Sequence, residues 1–166
     1  MLPNDMEIGL SLAARLAGKT VKTMQRWCDE ERLSRQVDRR GKLMVPLREV
    51  LRIAQLDLEK SEWSLVIRAG EGDPEAQCEL GIIFLEHRKP EIAFFWFNDA
   101  AQLRHPEAMH WLAQFYFSGK MGAPHDVPAG LEWLEKAAKH GHVIARAQLA
   151  SLRGQDRSTF SPSPHI

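Results

Sequence analysis

The chain has 166 residues, of which 44% are hydrophobic and 27% charged, with 22 basic and 22 acidic side chains. At ~150 residues per domain this is one domain or two small ones. The composition supports a packed core and excludes wholesale disorder, a globally basic nucleic-acid coat and a globally acidic solvating chain. The charge is nonetheless uneven. Residues 15–48 carry ten basic and four acidic side chains, a net +6, whereas residues 49–166 are net −4. A basic block beside an acidic body predicts two functional halves. Cys28 and Cys78 fall among apolar residues with no CxxC pattern, which excludes a disulfide scaffold and a zinc–cysteine site. The opening MLPNDMEIGL lacks the features of a secretory signal, and no apolar run approaches the ~20 residues that span a bilayer. The reading is a cytoplasmic protein with no membrane association.

In chain order, Leu10 to Ala17 forms a first short helix, with Ser11 as its cap and Gly18 as its left-handed stop. Thr20 caps a second helix over 21–29. Its apolar stripe is Val21, Met24 and Cys28, and its opposite face is Lys22, Gln25, Arg26 and Asp29. Two short helices joined through a glycine-containing turn outline a helix-turn-helix. Leu33 to Val37 then leads into Asp38-Arg39-Arg40-Gly41, a type I turn sequence, and Lys42 to Val45 returns. The result is a hairpin with arginines at its tip. Pro46 opens the next helix.

Leu10-Ser11-Leu12-Ala13-Ala14-Arg15-Leu16-Ala17-Gly18, Thr23-x-x-Arg26-Trp27, Arg32-Leu33, the basic hairpin and Val45-Pro46 together resemble the MerR-like and excisionase-type winged helix-turn-helix over residues 8–55. The resemblance implies double-stranded DNA as a partner. It assigns DNA contacts to Lys19, Thr20, Lys22, Thr23, Gln25, Arg26, Arg35, Arg39, Arg40 and Lys42. Lys22, Gln25 and Arg26 face outward from the second helix, where Arg pairs with guanine and Gln with adenine in the major groove. Lys19, Arg35, Arg39, Arg40 and Lys42 suit phosphates. Asp29, Glu30 and Glu31 place three acids just past this helix, against the DNA reading. One such unit makes few contacts, so DNA binding points to a dimer or a larger complex.

The second half repeats itself. Ala76-Gln77-Cys78-Glu79-Leu80-Gly81 aligns with Ala108-Met109-His110-Trp111-Leu112-Ala113 at a spacing of 32, and Ala145 restarts the phrase 37 residues later. Trp96-x-x-x-Ala100-Ala101 recurs as Trp133-x-x-x-Ala137-Ala138, also 37 apart. Large apolar and small residues at such a period describe stacked helix pairs. Leu80-Gly81-x-x-Phe84, Leu112-Ala113-x-x-Tyr116, Phe117-x-Gly119 and Gly70-x-Gly72-Asp73-x-x-Ala76 resemble the Sel-one-like repeat, a relative of the tetratricopeptide repeat. The predicted fold is mainly α: a small winged helix-turn-helix at 1–48, a linking and capping helix at 49–60, an α-solenoid of antiparallel helix pairs at 61–153 and a disordered tail at 154–166.

No phosphate loop or nucleophile triad occurs, so no enzyme activity, cofactor or metal site is predicted. His105 and the His140-x-His142 pair are assigned to helix C-termini, where the helix dipole favours imidazole. The register between repeats singles out two aromatics. Phe95 aligns with Glu132, and Trp111 with Glu79 and Gln148. Phe95 and Trp111 are therefore the predicted protein-binding anchors, toward a partner or a second copy. The leading function is a DNA-binding transcriptional regulator of bacterial type whose array binds a controlling protein. The alternative is an interaction adaptor whose helix-turn-helix no longer binds DNA.

Overall fold

A computed structural model describes residues 6–119 and 123–158, without the side chains of the last five. The described residues form nine α-helices and three short strands. Strand β1 (Glu7–Gly9) runs directly into α1 (Leu10–Ala17), and α2 (Val21–Asp29) follows. Strands β2 (Gln36–Val37) and β3 (Leu43–Pro46) form the hairpin, and α3 (Leu47–Ala54) leaves from it. β3 is the central strand of an antiparallel sheet in the order β1-β3-β2, with Ile8 opposite Val45 and Val37 opposite Leu43.

Local chemistry explains most of these boundaries. Gly18 adopts φ 62° and ends α1, and Thr20 accepts a hydrogen bond from the Thr23 amide at the start of α2. Asp38 accepts from the amides of Arg40 and Lys42, which closes the hairpin tip. Two expectations are corrected. Ser11 caps nothing: Gly9 precedes the helix, because β1 feeds α1 without a loop. Pro46 is the last residue of β3 rather than a helical one. Leu16, Met24, Leu33, Val45, Leu47 and Val50 form the buried centre of this unit. The α3 helix packs on α1 and β3, so it closes the N-terminal unit as well as leading out of it.

After a 3-10 turn at Lys60–Glu62, six helices follow: α4 (Trp63–Glu71), α5 (Pro74–Glu86), α6 (Pro90–Gln102), α7 (Pro106–Ser118), α8 (Val127–Lys139) and α9 (Val143–Ser158). From α5 onward each packs on the one before it, which is the solenoid expected from the repeat period. Proline stands at or beside the first position of α5, α6, α7 and α8, where its missing N–H costs nothing. The backbone of α9 continues helically to Ser158, five residues into the segment read from sequence as a disordered tail; residues 159–166 lie outside the described residues.

The N-terminal unit is docked on the array. The Leu12 side chain lies against Gly70 of α4, and Gly18 meets Ile92 of α6. Between these contacts, Arg15 forms an ion pair with Asp99 and lays its guanidinium 4.3 Å from the centroid of the Trp96 ring. Both charges are about two-fifths exposed, so solvent screens the pair, and covering the aromatic face is the more durable part of the contact.

Comparing the repeats also locates strain. Gly72, Arg104 and Gly141 hold equivalent places before α5, α7 and α9, and all three have positive φ: 96°, 66° and 96°. A side chain in that region costs about 1–2 kcal/mol. Replacement of Arg104 by glycine, the residue of both sister repeats, is predicted to leave stability unchanged or raise it by up to about 1 kcal/mol, because relief of strain outweighs the added freedom of the unfolded chain. Thermal unfolding of Arg104→Gly checks this; a clearly lower melting temperature contradicts it.

Candidate functional site

Two regions gather the polar and exposed aromatic groups. The first is a groove of about 520 Å³ where the turn between α1 and α2 meets α6. Its walls include Lys19, Thr20 and Thr23 on one side and Glu91, Ile92 and Phe95 on the other. The structure therefore brings three of the predicted DNA contacts beside one of the predicted protein anchors. Phe95 is 65% exposed, while its neighbours Trp96 and Phe97 are buried and Phe94 packs on Phe115 and Tyr116. A helix turns successive residues 100° apart, so one of four consecutive rings must face out. Trp111 behaves differently from expectation. It stacks face to face on Phe97 at 5.4 Å and is half-buried, because Phe97 is large enough to reach it where the sister repeat has Leu134.

The remaining predicted DNA contacts divide into two sets. Gln25 donates to Asp29 at 3.3 Å, Arg35 pairs with the same carboxylate at 2.7 Å, and Arg26 lies 3.8 Å from Glu30. Asp29 at the end of α2 and Glu30 just after it thus engage both base-reading side chains, Gln25 and Arg26. Lys42 lies along Gly9 on the sheet side. Lys22, Arg39 and Arg40 are exposed, and with Lys19 they have no ion-pair partner among the described residues.

The second region is a groove of about 480 Å³ along the starts of α5, α7 and α9. His105 and His142 do not sit on helix C-termini; they cap the helices that follow. His105 Nδ1 accepts from the Ala108 amide at 3.3 Å and His142 Nδ1 from the Ala145 amide at 3.1 Å, the role Asp73 plays for α5. A ring that accepts at Nδ1 carries its proton on Nε2. That nitrogen meets the preceding repeat: His105 Nε2 lies 2.8 Å from Glu75, and His142 Nε2 lies 2.8 Å from Glu107. Each imidazole therefore links one repeat to the next. Of these three histidines, His140 is the one that ends a helix, with Nδ1 donating to the Lys136 carbonyl.

His110 stands beside this link, stacked on the His142 ring at 4.4 Å and 3.1 Å from Gln148 Oε1. Burial, then the neighbouring His142, lowers its pKa. Burial, then Glu107, Glu75 and Glu79, pushes the Cys78 thiol up to about 12. Glu75, Glu107, His110 and Gln148 were not singled out from the sequence. The available signal was the register itself, which aligns Asp73 with His105 and His142, and Glu75 with Glu107.

The model of the Sel1 repeat family matches residues 74–105 and 106–142, so that each matched unit starts immediately after a capping residue. Residues 74–142, which carry α5 to α8, thus match two consecutive Sel1 repeats. Among solved structures, the crystal structure of a Sel1 repeat protein from Oxalobacter formigenes is similar, with a TM-score of 0.52 and 34% identity. The match covers 55% of this chain and 28% of that one, so the chain spans less than a third of that protein's length. No curated protein matches the sequence. No described helix is long and apolar enough to cross a membrane.

Two outcomes follow from this geometry. Loss of the cap in His105→Ala costs about 1 kcal/mol, and a denaturant titration showing no shift in midpoint contradicts the capping role. A thiol with its pKa at about 12 stays protonated at pH 8. Folded protein at that pH is therefore expected to leave Cys78 unlabelled by a thiol reagent that reacts fully after unfolding, and rapid native labelling contradicts it.

Proposed function

We propose that the chain is a protein-binding adaptor in which the N-terminal helix pair is part of the Sel1 array's surface. Sel1 repeats are associated with protein–protein interaction, and the observation that carries the reading is the groove between the α1–α2 turn and α6. There Phe95 is bare on the array while the turn that would lead a DNA-reading helix is packed against Ile92. The engagement of Gln25, Arg26 and Arg35 by Asp29 and Glu30 supports the same reading, since a base-reading helix has to give up those pairs to reach bases. The two buried thiols fit a reducing, cytoplasmic setting.

A second reading keeps the MerR-like resemblance and treats the unit as a DNA-binding regulator, acting alone or as a homodimer. It is favoured by Lys19, Lys22, Arg39 and Arg40, four cations with no described partner, two of them at the hairpin tip. Titration with duplex DNA separates the two readings. The adaptor reading expects equal, weak binding by the wild type and the Arg39→Ala/Arg40→Ala double variant at low salt. Tight, salt-dependent binding lost in the double variant supports the regulator instead. In parallel, Phe95→Glu is expected to alter stability by no more than about 0.5 kcal/mol, as an exposed position does, yet to release proteins that co-purify with the wild type. Retention of the same proteins contradicts the adaptor reading at Phe95.

A further inference from the structure

The structure assigns a divalent transition-metal site to Glu107, His110 and His142, at the joint where α7 meets the start of α9. Glu107 and His110 are three apart on α7 and so share a face, while His142 arrives from the next repeat as the cap of α9. One ligand atom from each lies within 4.8 Å of the other two, and among the described residues this is the one such trio of His, Cys, Asp or Glu side chains. Ligands bound tetrahedrally at about 2.0–2.2 Å to one metal lie roughly 3.3–3.6 Å apart. His142 Nε2 and Glu107 already stand at 2.8 Å. Closing the remaining gap takes a small rotation of side chains, and the Glu107 carboxylate is 43% exposed and has room to move. The two imidazoles are stacked, with centroids 4.4 Å apart and planes 24° from parallel.

The protonation states are compatible with a metal. His110 Nε2 lies 3.1 Å from the acceptor Gln148 Oε1 and 3.3 Å from the donor Gln114 Nε2, so a metal bound there takes the place of a hydrogen bond to one of these two glutamines. His142 Nε2 carries a proton in the structure. Metal binding at that nitrogen moves the proton to Nδ1 and forfeits the hydrogen bond from the Ala145 amide. The metal thereby replaces a capping contact with a bond that ties α9 to α7. Two imidazoles and one carboxylate suit zinc and its neighbours rather than magnesium or calcium, and Gln148 or water is at hand for the fourth position. The preceding joint contrasts with this one: it has Glu75 and His105 at the equivalent places, but Cys78 in place of His110.

The test is calorimetric titration of the full chain with zinc ion alone in a non-chelating buffer. The expected result is saturable binding of one equivalent, weakened at least tenfold in both His110→Ala and Glu107→Gln and unchanged in His140→Ala, the neighbouring groove imidazole. Glu107→Gln keeps an oxygen for His142 to donate to, and circular dichroism of each variant confirms that the fold is retained. The NMR signal of the Ala145 amide is expected to move as the cap is lost. Absence of saturable binding, binding equal in wild type and both ligand variants, or loss in His140→Ala instead overturns the assignment.

Discussion

The array rests on the close approach of small residues to aromatic rings. A Cβ placed on Gly81 of α5 would stand 2.6 Å from the Phe97 ring of α6, and one on Gly130 of α8 would stand 2.5 Å from the Phe117 ring of α7. Nothing larger fits at either contact without moving a ring. Ala93, Ala100, Ala113 and Ala137 are buried completely and play the same part at neighbouring positions. Large and small side chains that interlock in this way fix how far each helix stands from the next. That spacing in turn sets His105 and His142 within reach of Glu75 and Glu107, so the polar links between repeats follow from the apolar packing rather than causing it.

The same packing defines what the N-terminal unit is doing. Trp96 turns one face into the array and offers another to Arg15, so a residue of the repeat core doubles as the docking platform for α1. With Leu12 on Gly70 at one end and Gly18 on Ile92 at the other, the α1–α2 turn is held along α6. The groove that contains Phe95 exists only because of this docking. Charge and packing therefore point the same way: the face that resembles a DNA reader is partly covered by the array and partly neutralised by its own acids.

Much of this was legible in the sequence. The two spacings of 32 and 37 residues yielded the helix pairs, and the register between repeats separated exposed Phe95 from buried Trp96 and Phe97. Gly18, Thr20 and the Asp38–Gly41 turn announced themselves through local chemistry. Other features were hidden for physical reasons. Three residues of β1 are too few to show an alternating pattern. Histidine is not among the usual capping residues, so His105 and His142 read as helix ends when they are helix beginnings. Trp111 depended on the size of its partner Phe97, which lies one helix away and is invisible to a comparison of aligned positions. The pairing of Arg35 with Asp29 required knowing where the chain goes after α2.

Native-state hydrogen exchange of the full chain tests most directly the claim that the helix pair and the array form one body. If Arg15, Leu12 and Gly18 clamp the unit to α4 and α6, amides of α1 and α2 open with the same free energy as those of α6, and Arg15→Ala lowers protection in α1 and α2 while leaving α7 and α8 unchanged. Exchange of α1 and α2 far ahead of α6 in the wild type, unaffected by Arg15→Ala, would show an independent N-terminal unit and contradict the account.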